Sequence, residues 1–161
     1  MKLSRDLLDR LHRAAWALSG SAHDADDLVQ ETLAQVLARP RRLRRRDPAA
    51  YLMRALRNTY VTDVRKASTR PRTIGLPVDE SALMASSRGQ PELVVEQREA
   101  VAAIAALPAE FRLALVAVDV VGLSQREAAR ALDVREPTIG SRVYRARERV
   151  ALALAAETAE G

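Results

Sequence analysis

Cysteine is absent from this 161-residue chain, and histidine occurs only as His12 and His23. The first absence rules out a disulfide framework and any thiolate zinc site, and the second argues against an imidazole-based metal centre. Glycine is sparse, with six residues, none of them arranged as a phosphate-cradling loop or a nucleophile elbow, and no His-Glu-x-x-His helix occurs. The sequence therefore reads as that of a protein without catalysis, metal or cofactor of its own. Its opening, MKLSRDLLDRLHRAAW, lacks the apolar run of a signal peptide, and no stretch approaches the roughly 18 apolar residues that span a bilayer. A cytoplasmic protein with no membrane insertion is expected.

What the chain does have is segregated charge and helical periodicity. Its formal net charge is +5, yet residues 39–72 hold twelve basic against two acidic side chains and residues 137–149 hold four against one, while the remainder is mildly acidic. Two separated basic blocks fit a long polyanion touched at two places. The second block lies in GLSQREAARALDVREPTIGSRVYRARERV, residues 122–150. Ser124, with Glu127 three residues on, forms a capping box, so a helix starts there and runs through Ala128, Ala129 and Leu132. It breaks over 133–136, because Pro137 has no amide proton and suits the first turn of a new helix. The new helix sets Ile139, Val143, Ala146 and Val150 on one stripe. Thr138, Ser141, Arg142, Arg145 and Arg149 then share another side, as donors for phosphates or base edges. The pair reads as a helix-turn-helix.

Upstream, residues 4–18 carry Leu7, Leu8, Leu11, Ala15 and Leu18 on one stripe that ends near Ser19-Gly20. SAHDADDLVQETLAQVLAR follows, with Leu28, Val29, Thr32, Leu33, Val36 and Leu37 expected inward. ARPRRLRRRDP has six arginines within 39–46 and no hydrophobic period, which predicts a loop or a frayed helix end. Asp47-Pro48 then caps a third helix that buries Leu52, Leu56 and Thr59 and turns Arg54, Asn58 and Arg65 to the opposite face. Residues 68–91 are rich in Pro, Gly and Ser, lack sustained periodicity and read as a flexible linker. Periodicity returns in ELVVEQREAVAAIAALP and AEFRLALVAVDVV, so the second unit has about four helices. The fold class is all-α: an N-terminal helical domain over 1–69, a linker over 70–91, and a C-terminal helix-turn-helix domain over 92–161.

Each charged or aromatic group also has a plainer role open to it. The six arginines from Arg39 to Arg46, Arg41, Arg42, Arg44 and Arg45 among them, could form a solvated loop, but like charges this close repel, a cost most simply offset by a bound polyanion. Asp24 and Asp26 complement the dipole of a first helical turn. Asp27, Gln30 and Glu31 lie farther in, where the same helix-end role stands beside that of an acidic surface for a basic partner. Asn58 could be only a surface amide, or an amide for a base edge. Tyr51 and Tyr60 fit a core, or an aromatic surface on which a base leaving a duplex rests.

Taken together, DADDLVQETLAQVL, YLMRALRNTYVTDVRK and LSQREAARALDVREPTIGSRVYRAR resemble, in order and spacing, the extracytoplasmic-function sigma factors of bacterial RNA polymerase. The likeness covers most of residues 7–70 and 97–150. It implies an N-terminal domain that binds the polymerase clamp and opens the minus-ten promoter element. It also implies a C-terminal domain that binds the polymerase flap and reads the minus-thirty-five element. By the same resemblance Asp27, Gln30 and Glu31 match the clamp-binding helix, and the arginine block through Tyr51 and Asn58 matches positions that capture unpaired bases. Ser141, Tyr144 and Arg145 match the upstream-element contacts, and an anti-sigma factor that masks the polymerase-binding faces is implied as a partner. Three positions depart from the pattern. Gly140 stands where the family usually has Lys or Arg, Val118 where an arginine often precedes the acidic residue, and LAQVLAR lacks the usual aromatic; Arg135, Arg142 and Arg149 are available to compensate.

The expected function is promoter-specific transcription initiation with core polymerase. A helix-turn-helix repressor or activator of closed duplex explains 122–150 but leaves the first basic block without a role, and a purely protein-binding helical adaptor leaves both idle. Limited proteolysis of the free protein is expected to cut first between residues 70 and 91 and to release two helical fragments. Resistance of that stretch, read by mass spectrometry of early digests, would count against two independent domains.

Overall fold

Four helices begin where a side chain takes up a free amide of the first turn. Ser4 Oγ accepts from Leu7 N at 3.2 Å and Ser21 Oγ accepts from Asp24 N at 3.3 Å. Asp47 Oδ1 accepts from Ala49 N at 3.1 Å. Ser124 Oγ accepts from Glu127 N while Glu127 Oε1 accepts from Ser124 N, both at 3.1 Å, completing the capping box. The computed structural model describes residues 3–45, 47–68 and 91–160, some helix ends by backbone alone. The expected linker lies outside the described residues except for Pro91, and so does Arg46.

The helices are α1 (Arg5–Ser19), α2 (Ala22–Leu37), α3 (Pro40–Arg45) and α4 (Pro48–Ser68), followed by α5 (Pro91–Ala105), α6 (Ala109–Leu115), α7 (Gln125–Leu132) and α8 (Glu136–Glu160). Among the described residues there is no strand. Three ends turn left-handed: Gly20 at φ 74° closes α1, Gly122 at φ 87° ends the segment after α6, and Asp133 at φ 57° closes α7. Glycine enters that region without a Cβ penalty, and Asp tolerates it better than most residues.

Two local expectations are corrected. The arginine-rich stretch contains a short helix, α3, rather than a loop: Pro40 suits a first helical position and arginine is a good helix former. Leu37 is not inward but 58% exposed, because packing on α2 stops at the buried Val36 and the next residue lies about 100° farther round. Two further features were not anticipated. After α6 the chain widens into a π-turn over Val116–Val120, where Val121 N donates to Val116 O at 2.9 Å. The last helix also continues through the tail to Glu160.

The N-terminal helices α1 to α4 and the C-terminal helices α5 to α8 pack on one another. α1 lies against α5 and the π-turn, and α4 lies against α7. One apolar cluster therefore runs across both, from Leu11, Leu18, Leu52 and Leu56 through Val116 and Ala117 to Ile139 and Val143, while Leu107, Leu115 and Ala146 form a second, smaller one. Small side chains set the spacing: Ala14, Ala15, Ala117 and Ala128 are fully buried, and a Cβ built on Gly20 would sit 3.2 Å from Ala105 Cβ. The buried hydroxyls of Thr32 and Thr59 are satisfied by carbonyls one turn back, Leu28 O at 2.7 Å and Ala55 O at 3.0 Å, as burial of a polar group requires. Between α4 and α7 the two capping carboxyls meet. A side-chain hydrogen bond with Glu127 holds Asp47 above the ordinary carboxyl range, and the same bond, with those from Ser124, holds Glu127 below it.

Gly140 sits inside α8, where glycine costs roughly 1 kcal/mol relative to alanine. A Cβ there would lie 3.2 Å from Gln125 Oε1, the far end of an exposed side chain that can swing aside. Gly140→Ala is therefore expected to stabilise the protein by about 0.5–1 kcal/mol, raising the thermal midpoint by roughly 1–4 °C. A lower midpoint in a calorimetric scan would show that the Gln125 amide is held in place.

Candidate nucleic-acid interface

The end of α2, the short α3 and the first half of α4 enclose an open cleft of about 830 Å³, within the usual range of small-ligand sites. Arg39, Arg42 and Arg54 line it together with Tyr51, Asn58 and Gln35. Tyr51 is half-buried, its ring packed against the core edge, while Arg42, Arg54 and Asn58 are exposed. Arg57 Nη1 donates to Asn58 Oδ1 at 3.0 Å, which orients the amide. Cations surrounding an aromatic and an amide offer what an unpaired nucleotide needs: phosphate neutralisation, a stacking face and a base-edge partner.

Not every expected residue joins this cleft. Arg41 is exposed but does not line it, and Arg65 lies two turns beyond Asn58 on the last turn of α4. The side chains of Arg44 and Arg45 lie outside the described residues. Tyr60 is corrected from a possible base platform to a core residue, buried with its hydroxyl bonded to Arg112 at 2.6 Å. Arg39, the first of the arginine block, lines the cleft as well, and Gln35 joins it unexpectedly, because the last turn of α2 faces α4, which periodicity alone does not reveal.

On the helix-turn-helix, Ile139, Val143 and Ala146 are buried against α7 and α6, and Val150 is half-buried. Ser141, Tyr144 and Arg145 project outward, Tyr144 with 72% of its surface exposed. Arg142 and Arg149 behave differently. Arg142 Nη2 lies 3.6 Å from Glu110 Oε2 with 25% of its side chain exposed, and Arg149 stacks over Phe111 at 4.8 Å. Both draw α8 onto α6, and Thr138 is half-buried in the first turn. Arg147 forks onto Asp119 through Nε at 2.9 Å and Nη2 at 2.6 Å, pinning the π-turn to α8 and raising its own pKa further.

The acidic face of α2 is present as expected: Asp27, Gln30 and Glu31 are all exposed, opposite Leu28, Val29 and Val36. His23 Nε2 lies 3.8 Å from Asp27 Oδ2. Asp24 and Asp63 of α4 join Asp27 around a second, smaller cleft, an arrangement that needed the α2/α4 packing to be seen. Among the described residues no group of His, Asp or Glu side chains gathers as a metal site, and no helix is long and apolar enough to cross a membrane.

Two family models match the chain: Sigma-70 region 2 over residues 3–70 and Sigma-70, region 4 over residues 97–150. The chain is 33% identical over 162 residues to the ECF RNA polymerase sigma factor SigE of Mycolicibacterium smegmatis, matching along 99% of its own length but 63% of that protein's. It is 36% identical over 151 residues to the ECF RNA polymerase sigma factor EcfG of Rhodopseudomonas palustris, covering 93% of this chain and 82% of that one. Among solved structures, the sigma factor RpoE in complex with the anti-sigma factor NepR from Bartonella quintana is similar with a TM-score of 0.71 and 26% identity, over 92% of this chain and 91% of that one.

On the expectation from the sequence that the acidic face of α2 docks core RNA polymerase, reversing both Asp27 and Glu31 to Lys would weaken binding to the purified core about tenfold or more, while circular dichroism stays helical because neither side chain is buried. Unchanged affinity in a fluorescence titration would return these groups to simple helix-end electrostatics.

Proposed function

Because the chain belongs to the extracytoplasmic-function sigma factors of bacterial RNA polymerase, we propose that it directs core polymerase to particular promoters and helps open them, without catalysis of its own, in the cytoplasm. The observation that carries this reading is the arginine-lined cleft holding Tyr51 and Asn58, on a different unit from the exposed Ser141, Tyr144 and Arg145 of the helix-turn-helix. One unit has the chemistry for an unpaired strand, the other for a closed duplex.

The labour divides accordingly. Core polymerase does the chemistry, and this chain supplies phosphate contacts for placement and base contacts for choice. Each base taken out of the stack costs a few kcal/mol, which stacking on Tyr51 and a hydrogen bond from Asn58 offset, while Arg39, Arg42 and Arg54 neutralise the backbone. The minus-ten element belongs to this cleft. Upstream, Gly140 and Val118 remove two contacts usual in the family, and Arg142 and Arg149 are occupied by Glu110 and Phe111. Recognition of the minus-thirty-five element therefore falls on Ser141, Tyr144 and Arg145, with Arg135 exposed at the head of α8. Polymerase docks on the acidic face around Asp27, Gln30 and Glu31. An anti-sigma factor is a further expected partner, supported by the likeness to RpoE, which was solved with NepR.

The test separates this reading from a duplex-binding repressor. Tyr51→Ala with Asn58→Ala is expected to abolish run-off transcription from a duplex promoter, with activity returning substantially on a template that carries a preformed bubble. Arg145→Ala should instead weaken both templates, because it touches DNA that stays paired. A double variant that transcribes the duplex promoter as well as the parent would remove the strand-opening role and favour the repressor.

A further inference from the structure

Arg112 on α6 ties the two helical units together. Its Nη1 donates to Leu18 O at 3.0 Å, at the end of α1, and to Tyr60 Oη at 2.6 Å, on α4. Its Nη2 donates to Ala105 O at 2.6 Å and Leu107 O at 2.8 Å, both in its own unit. All four acceptors are uncharged, and Nε is buried without a partner. The guanidinium thus makes no ion pair among the described residues. Arg112 lines a cleft of about 370 Å³ with Asp24, Asp27 and Asp63, and it is the one cation among the described residues that line it.

Asp27 also belongs to the acidic face assigned above to a basic partner. The same carboxylates thus favour Arg112 in its closed position and attract the partner's cations. Pairing those cations with Asp24 and Asp27 would cancel the field that favours Arg112 and bring like charge beside it. Two other polar contacts between the units, Arg10 Nη1 to Val121 O at 3.3 Å and the side chain of Asp47 with that of Glu127, involve none of the residues that line this cleft.

We infer that Arg112 is an interunit latch whose closure competes with docking of a cationic partner on the acidic face of α2. The inference rests on the assignment of that face to core polymerase. By linkage, a change that weakens the latch must tighten partner binding by the same factor, and partner binding must loosen the latch. Tyr60 and Leu18 hold the cation from the N-terminal unit, and the carboxylates of the cleft sense whether a partner has arrived.

The cysteine-free sequence permits a clean test on the full chain. Cysteines introduced at the exposed Asp9 on α1 and Ala151 on α8 would carry a dye pair for single-molecule energy transfer. Tyr60→Phe removes one acceptor and keeps the ring in the core, while Arg112→Met removes the cation; circular-dichroism melts establish that each is folded. Both are expected to enlarge the low-transfer population of the free chain at least threefold and to tighten core-polymerase binding by a similar factor. Oligolysine should shift the parent toward low transfer and leave Arg112→Met little changed. Folded variants with the parent's transfer distribution, or with no gain in polymerase affinity while the parent binds, would overturn the latch. Should no form bind polymerase, while oligolysine still opens the parent and Tyr60→Phe still enlarges the open population, the latch stands and the initiation reading fails.

Discussion

A guanidinium that leaves water must find acceptors for its N–H groups, and an unmet one costs roughly 1–3 kcal/mol or more. Arg112 meets this demand at Nη1 and Nη2, though not at Nε, with carbonyls and a hydroxyl from three parts of the chain: the end of α1, the middle of α4, and the turn joining α5 to α6. These pieces must converge on one point before the bonds can form. Once they do, α1 is brought against α5 and the π-turn, and the approach is close because Gly20 and Ala105 face each other and Ala14, Ala15 and Ala117 fill the space. A bulkier set of side chains would hold α1 and α6 apart and leave the cation short of Tyr60 and Leu18.

Much of the fold was legible because local chemistry and periodicity agree. Asp47 and the Ser124–Glu127 box cap helices as expected, the first two helices span the stretches their periodicity marks, and Leu52, Leu56, Thr59, Ile139 and Val143 are buried as their spacing predicts. What stayed hidden depends on neighbours distant in sequence. Leu37 has a core residue's chemistry but lies past the edge of its packing partner. Arg112 reads as one charge in an apolar stretch until Leu18 and Tyr60, 94 and 52 residues away, are brought beside it. In the cleft, Tyr51, Asn58, Arg42 and Arg54 are residues the sequence points to, whereas Arg41 does not line it and Gln35 enters only through the crossing of α2 and α4.

The arginines show that charge count and charge use are different quantities. On α8, Arg142, Arg147 and Arg149 are drawn to Glu110, Asp119 and Phe111, so a block that looks uniformly suited to phosphate divides into structural cations and an outward-facing Arg145. In the first unit the opposite holds: among the described residues Arg39, Arg42 and Arg54 form no ion pair, and their repulsion is met by solvent until an anion arrives. Placement of acidic partners, more than the number of basic residues, decides which surface remains available to a polyanion.

The π-turn over Val116–Val120 holds one residue more than an α-helical turn would over the same bonds. Every residue advances a helix by about 100° and 1.5 Å, so the extra one sets the rotational phase at which the chain leaves α6 for Gly122 and α7. Losing a residue here could still leave an unbroken helix, but the reading head downstream would face another direction, and Asp119 would no longer meet Arg147. Length in this segment is therefore counted to the single residue: a deletion that local helix stability would tolerate is forbidden by where the next helix has to point.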